Sequence, residues 1–292
     1  MIQHGNEAFS VKINFMIDAE DTCMSVGYSP ARRLIKLNNT TITSYKDLLS
    51  SYRIIALTED DLLLIKGMPD TRRHFLDQAI TLVKPEYATA LKKHAAIVEQ
   101  RNALLNHNPI SKESYDLWTS QLIEATNTIR DYRTAMVTDL ETSVNNLITG
   151  SFDNAFSVTL TYKPKDRYEK IPLNQLMTQE QYAGHSLIGA HLDDCSIAFQ
   201  SKSSKQYASK GQQKLIALLL KIAQPATRNP ESCTFILDDV LSDLDNDRIR
   251  KLISLLASYK TQVIMTSPLT HPFLDEVCST YDYESINFDS QK

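Results

Sequence analysis

The most constraining stretch of this 292-residue chain is Cys233-Thr234-Phe235-Ile236-Leu237-Asp238-Asp239, an apolar run that stops at two adjacent acids. A short continuous apolar segment rich in β-branched and aromatic residues reads as a fully buried strand. At its end the chain leaves the sheet, so both carboxylates can reach one edge crevice, the place where open α/β sheets bind ligands. There one carboxylate can help to hold Mg²⁺ and the other can polarise an attacking water. An ordinary core strand fits the same pattern, so the flanking sequence has to decide.

The flanks supply an order. Tyr207-Ala208-Ser209-Lys210-Gly211-Gln212-Gln213-Lys214 opens an apolar helix, Leu215 to Ala223, upstream of the strand, and Val240-Leu241-Ser242-Asp243-Leu244-Asp245 follows it. Ser209 is a natural N-cap. Gly211 lets a backbone approach an anion at the helix N-terminus, where free N–H groups and the helix dipole favour negative charge. The net charge of −4 argues against a uniformly basic nucleic-acid coat, but the charge is segregated. Lys202, Lys205, Lys210, Lys214, Lys221 and Arg228 occupy the stretch from Cys195 to Pro230 without one acid, while Glu231, Asp238, Asp239, Asp243, Asp245 and Asp247 follow without one base. The two blocks are either solvated faces or complementary halves of an interface.

Composition excludes several classes. Hydrophobic residues at 42% and charged residues at 23% fit a soluble globular chain and neither a disordered nor a collagen-like one. The densest apolar stretch, Leu215 to Ala223, is short and carries Lys221, so no membrane span or membrane partner is expected. Cys23, Cys195, Cys233 and Cys278 form no close pair, and the N-terminus has no apolar run, so a reduced cytoplasmic compartment is expected. With only seven glycines, phosphate loops can be searched exhaustively. Gly184 and Gly189 have the P-loop spacing, but Ala190 and His191 follow in place of Lys and Ser/Thr, and no G-x-G-x-x-G is possible.

Phe9 to Ile17 alternates apolar and polar as a half-buried strand does, Arg33 to Ile42 reads as a strand pair turning at Asn38-Asn39, and Tyr52 to Leu57 is a third strand signal. Residues 71–83 pattern as a helix, Pro85 interrupts, and a second helix runs to Leu105. After the turn at Asn106-His107-Asn108-Pro109, Ser111 caps a long helix with the seam Trp118, Leu122, Ala125, Ile129, Tyr132, Met136, Leu140, Val144 and Leu147. Two such helices make a hairpin arm. Phe156 to Tyr162 reads as a strand, and Asp166 to Glu180 as a polar, mobile excursion. Arg72 and Arg73 either meet DNA phosphate or pair with Asp77, and His185 and His191 beside Asp193-Asp194 are tested as metal ligands without zinc-type spacing.

The series S-x-G-Q-Q, helix, apolar strand, Asp-Asp, S-D-L-D resembles the second half of ABC-type ATPase heads: signature motif, Walker B and D-loop. Glu59-Asp60-Asp61-Leu62, Ile65-Lys66-Gly67-Met68-Pro69-Asp70-Thr71-Arg72-Arg73-His74-Phe75-Leu76-Asp77 and Ile188-Gly189-Ala190-His191-Leu192-Asp193-Asp194 resemble the RecF recombination-mediator family along essentially the whole chain. Ala190 and Leu192 depart from that family's usual Pro and Arg, and its Walker A loop would lie upstream of Met1. The resemblance implies an α/β ABC-type ATPase head, incomplete at its N-terminus, with an inserted helical hairpin arm. Residues 1–83 would be the rest of lobe I, 84–150 the arm, and 151–292 the signature, Walker B and D-loop part. It implies Asp238 for Mg²⁺, Asp239 for water activation, and Ser209, Gly211, Gln212, Ser242, Asp243, Asp245 and Thr266 for the nucleotide. The intact family is a weak DNA-stimulated ATPase, and this chain alone is not expected to bind ATP normally. Implied partners are double-stranded DNA and single-strand gap junctions, RecR and RecO, and a second copy in an ATP-dependent homodimer. Implied roles are DNA repair, replication, recombination, the SOS response and support of RecA loading at the bacterial nucleoid. A non-catalytic DNA-binding or scaffold remnant and an SMC/Rad50-type head are the alternatives.

Overall fold

The computed structural model describes residues 2–17, 20–42, 53–107, 109–152, 156–165, 167–168, 170–224, 233–239, 241–259, 261–267 and 272–286. Strands β1 (Phe9–Ile17), β2 (Glu20–Ser29), β3 (Arg32–Leu37) and β4 (Thr40–Thr41) form an antiparallel meander in that order. Its register sets Phe9 against Tyr28, Val11 against Val26 and Ile13 against Met24, so the expected alternation becomes one apolar face. Asn38 and Asn39 turn the chain at φ 46° and 68°, the left-handed pair of a two-residue hairpin. Asn38 Oδ1 also accepts the Cys23 N–H at 2.8 Å.

Strand β5 (Arg53–Leu57) follows the meander, and Tyr52, expected in the same strand, lies outside the described residues. A 3₁₀ turn (Glu59–Leu62) and helix α1 (Leu63–Lys66) lead into α2 (Pro69–Val83), which has Pro69 in its first turn. Helices α3 (Tyr87–Leu105) and α4 (Lys112–Ser151) form the hairpin, and Ser111 caps α4 by accepting the Ser114 N–H at 3.3 Å. The seam serves two cores. Leu122 and Ala125 pack with Ile97 in a small cluster near the tip, whereas Ile129, Met136, Leu140 and Val144 join the main core with Leu57, Phe235 and Leu237. The long helix is therefore arm at one end and central core at the other.

Strand β6 (Val158–Lys163) pairs antiparallel with β7 (Asp194–Phe199), which pairs with β8 (Lys202–Ser203). Between β6 and β7 lies helix α5 (Leu173–Ala183), where a mobile excursion was expected. The correction has a physical cause in Glu180, which is fully buried against Arg101 of α3 at 2.6 Å. Its polar character is spent inside the tip cluster beside Leu176, and only a distant residue supplies the countercharge.

Helices α6 (Ser204–Tyr207) and α7 (Lys210–Ala223) precede β9 (Cys233–Asp238), then come α8 (Asn246–Ser258), β10 (Val263–Thr266) and α9 (Pro272–Cys278). Strand β9 is central in a parallel sheet of order β10-β9-β5, aligning Ile55, Phe235 and Val263, then Leu57, Leu237 and Met265. The face of Leu57, Phe235 and Leu237 is buried in the main core with Leu215–Leu220 of α7. On the other face Ile54 and Ile264 are 49% and 45% exposed, although parallel sheets are ordinarily covered on both sides.

Candidate functional site

The two acids stand where the sequence pattern puts them, at the C-terminal edge of the parallel sheet. Thr266 lies opposite Asp238 in the β9–β10 register. Its hydroxyl donates to Asp238 Oδ1 at 2.7 Å and accepts the Asp239 N–H at 3.2 Å. One hydroxyl thus joins both acids. Asp239 takes φ 50°, a left-handed conformation that Asp tolerates better than bulkier residues and that needs surrounding support. Asp238 is exposed, and one exposed carboxylate with neighbouring hydroxyl and carbonyl oxygens suits Mg²⁺, which binds through one or two carboxylates and keeps its other positions for water and phosphate. No group of three or more His, Cys, Asp or Glu side chains that could hold a metal occurs among the described residues.

Ser209 caps α7 as expected. Its hydroxyl accepts the Gln212 N–H at 3.3 Å, and Gln212 Oε1 accepts the Ser209 N–H at 2.8 Å, a reciprocal capping box. The Gln212 side chain is thereby committed to the cap. Asp245 caps α8 in the same way, accepting the Arg248 N–H at 2.9 Å. Gly211 has a nearer reason for being glycine than an approaching phosphate, because a Cβ there would stand 2.7 Å from the Asp243 carbonyl oxygen.

The basic block meets the acidic block within the same chain. Lys210 and Lys214 reach Asp243 at 2.9 and 3.1 Å, and Lys221 reaches Asp61 at 2.7 Å. Lys210 remains largely exposed, whereas Lys214 is buried in its own chain, although a solvated or partner-facing position was the expectation for the block. Hydrogen bonds from Lys210 and then Lys214 hold the Asp243 carboxyl below its usual range. Arg228 and Glu231 lie outside the described residues.

Arg72 and Arg73 do not pair with Asp77. Arg72 binds Asp194 bidentately at 2.8 and 3.0 Å and the Gly67 carbonyl at 3.0 Å, while Arg73 bonds Asp70 and the Asp193 carbonyl. Asp77 pairs with Arg133 of α4 at 2.9 and 3.0 Å and accepts the Tyr87 hydroxyl at 2.6 Å. Asp193 is matched by Arg130 at 2.8 and 2.9 Å, the Tyr162 hydroxyl at 2.7 Å and the Lys165 N–H at 2.7 Å. Burial works to raise the Asp193 pKa, but the Arg130, Lys165 and Tyr162 hydrogen bonds outweigh it and hold the carboxyl below its ordinary range. The Gly67–Asp77 block and the Asp193-Asp194 loop thus anchor the root of the arm. His191 packs against His94 with ring centroids 5.7 Å apart, and burial pushes both imidazoles down to about 4. His185 is exposed, with its Nδ1 2.9 Å from the Ala183 carbonyl. No metal cluster forms among them.

Sequence reasoning missed Arg130, Arg133, Arg101 and Glu180. A signal was present in Arg130 and Arg133, two cations three apart beside an apolar seam.

The parallel sheet with its acidic edge, the capped helix and the arm rooted in the core make an α/β head with an inserted helical arm. No family model matches the chain. A DNA replication and repair protein RecF from Heliobacterium modesticaldum is 28% identical over 293 residues, covering 94% of this chain and 79% of its own length. The protein of the same name from Ruminiclostridium cellulolyticum is 29% identical over 287 residues, covering 91% and 77%. A recombination mediator protein RecF solved with ATPrS in the RecFOR pathway superposes with a TM-score of 0.75 at 21% identity, over 92% of this chain and 77% of that one. In sequence the chain is similar to these RecF proteins, and its fold is similar to theirs.

Proposed function

We propose that the chain works in DNA replication and repair as a RecF-like ATPase head, contributing the signature, Walker B and D-loop side of a nucleotide site. The observation that carries this reading is the Thr266 hydroxyl joining Asp238 and Asp239 at the C-terminal edge of the parallel sheet. In this role Asp238 would hold Mg²⁺, which would supply neutralisation of phosphate charge. Asp239 orients water. Thr266 senses the terminal phosphate through the hydrogen that it otherwise gives to Asp238. Ser209 and Gly211 present the N-terminus of α7 to the γ-phosphate of a second copy, with Gln212 fixing the cap and Ser242, Asp243 and Asp245 shaping the adjoining loop. The chain carries no G-x-x-x-x-G-K-[ST] pattern of its own, so the phosphate cradle has to come from another segment or polypeptide.

The same reading extends to gapped DNA as ligand, to RecR and RecO as partners, to support of RecA loading, and to an ATP-dependent homodimer. Fluorescence anisotropy on gapped duplex, blunt duplex and single-stranded oligonucleotides tests the DNA part. Binding should be strongest on the gapped duplex and weaken log-linearly with salt as phosphate counterions are released. Equal, salt-independent binding or none on the three substrates would remove DNA from the account.

A further inference from the structure

Lys214 is a buried cation on α7. It sits between Gln213 and Leu215 on α7, and its side chain is only 4% exposed. Burying an ammonium is costly unless it finds oxygen partners, and Lys214 finds three. Its Nζ lies 3.1 Å from Asp243 Oδ2, 3.3 Å from Ser242 Oγ and 3.4 Å from the Asp239 carbonyl oxygen. The same carbonyl accepts the Ser242 hydroxyl at 3.4 Å. Asp239 is therefore held on both sides of its Cα: its N–H by Thr266 and its C=O by Lys214 and Ser242. Among the described residues other than Gly, it is one of five at positive φ and the only one of these outside a two-residue turn. Left-handed backbone costs energy and persists only where surrounding contacts over-determine it.

We infer that Lys214 is the positioning residue for Asp239. From inside the signature helix it holds the Asp239 backbone in the left-handed conformation and ties it to Ser242 and Asp243. The helix start follows the same loop closely, since Gly211 leaves room for the Asp243 carbonyl where a Cβ would stand 2.7 Å away. A shift of the N-terminus of α7 is thus transmitted to Asp239 through one side chain, with no intervening apolar layer to absorb it. The importance of this link for catalysis rests on the ATPase-head reading above; the link itself does not.

The test uses the whole chain without nucleotide. Hydrogen exchange is followed by NMR at the backbone amides of Asp239, Ser242, Asp243 and Leu244, with the amides of Leu215–Ala223 as internal control, for wild type, Lys214→Gln and Lys214→Arg. Losing charged hydrogen bonds of this kind corresponds to about ten- to hundredfold faster exchange. In Lys214→Gln that acceleration should appear at Asp239 and the loop and not in the body of α7, and Asp239 should lose its left-handed carbon shifts. Lys214→Arg, which keeps the charge, should restore slower exchange. If Lys214→Gln fails to fold, Asp243→Asn removes the main anchor from the exposed side and should loosen the same amides. Unchanged exchange at Asp239 in the readable variant, or equal acceleration throughout α7, would overturn the inference. Nucleotide binding is not measured, so loss of the ATPase-head reading would leave this result standing, and the reverse.

Discussion

Replacing Glu180 with Ala should destabilise the arm tip far more than an average substitution. Arg101 and Glu180 are both fully buried and bonded through two N–H···O contacts of 2.8 and 2.6 Å. Glu180 also accepts the Tyr115 hydroxyl at 2.6 Å and the Leu187 N–H at 2.7 Å. The substitution strands the guanidinium and leaves two further donors short of an acceptor. Removing one partner of a buried pair costs about 3–5 kcal/mol, and the orphaned donors overlap with that cost. With a urea dependence of about 2 kcal/mol per molar, the midpoint should fall by roughly 2 M. The chain has one tryptophan, Trp118, and it packs against the same cluster, so its fluorescence reads the tip directly. Arg101→Met combined with Glu180→Leu should be more stable than Glu180→Ala, because no charge is left alone in the interior. An unchanged Trp118 midpoint in Glu180→Ala, or a double variant as unstable as the sum of two single losses, would refute the reasoning.

His94 and His191 have folded pKa values near 4 against 6.5 unfolded, so the unfolded chain binds more protons between those values. The contribution of these two imidazoles should therefore be lost as pH drops from about 6.5 to 4; below that the Asp193, Asp194 and Asp243 carboxyls, held below their ordinary range, continue the fall, and His94→Gln should flatten the upper part of the slope in pH-dependent thermal melts. Thr266→Ala removes the hydroxyl shared by the two acids; thermal stability should change by no more than about 1–2 kcal/mol while the Asp238 and Asp239 resonances shift. Asp194→Asn discards the bidentate partner of Arg72, and the cost should be about 1.5–3 kcal/mol by chemical denaturation, since both side chains are partly buried.

What was legible in the sequence was contiguous. The buried strand with its two acids, the Ser209 cap, the Asn38-Asn39 turn and the heptad seam each lie within one short window, and each is where the pattern put it. What was not legible depended on pairs distant in the chain. Helical spacing offers Asp77 as the ion-pair partner of Arg72 or Arg73, whereas Asp194 and the Asp193 carbonyl, over a hundred residues away, take that place. Helix α5 looks like a polar excursion until Arg101 arrives to neutralise Glu180. Of the segregated lysines, Lys210 and Lys214 find Asp243 and Lys221 finds Asp61 in the same chain, pairings that the charge blocks alone do not specify. Charge patterning reports that a partner is needed and not which residue supplies it.

The central claim is that this chain provides the acidic and signature side of a nucleotide site whose phosphate cradle lies elsewhere. The direct measurement is a calorimetric titration of Mg-ATP into residues 1–292, alone and with an added segment bearing G-x-x-x-x-G-K-[ST]. The account predicts no tight binding to the chain alone, and binding that appears with the added segment and weakens in Asp238→Asn. Tight Mg-ATP binding by the chain alone would contradict it.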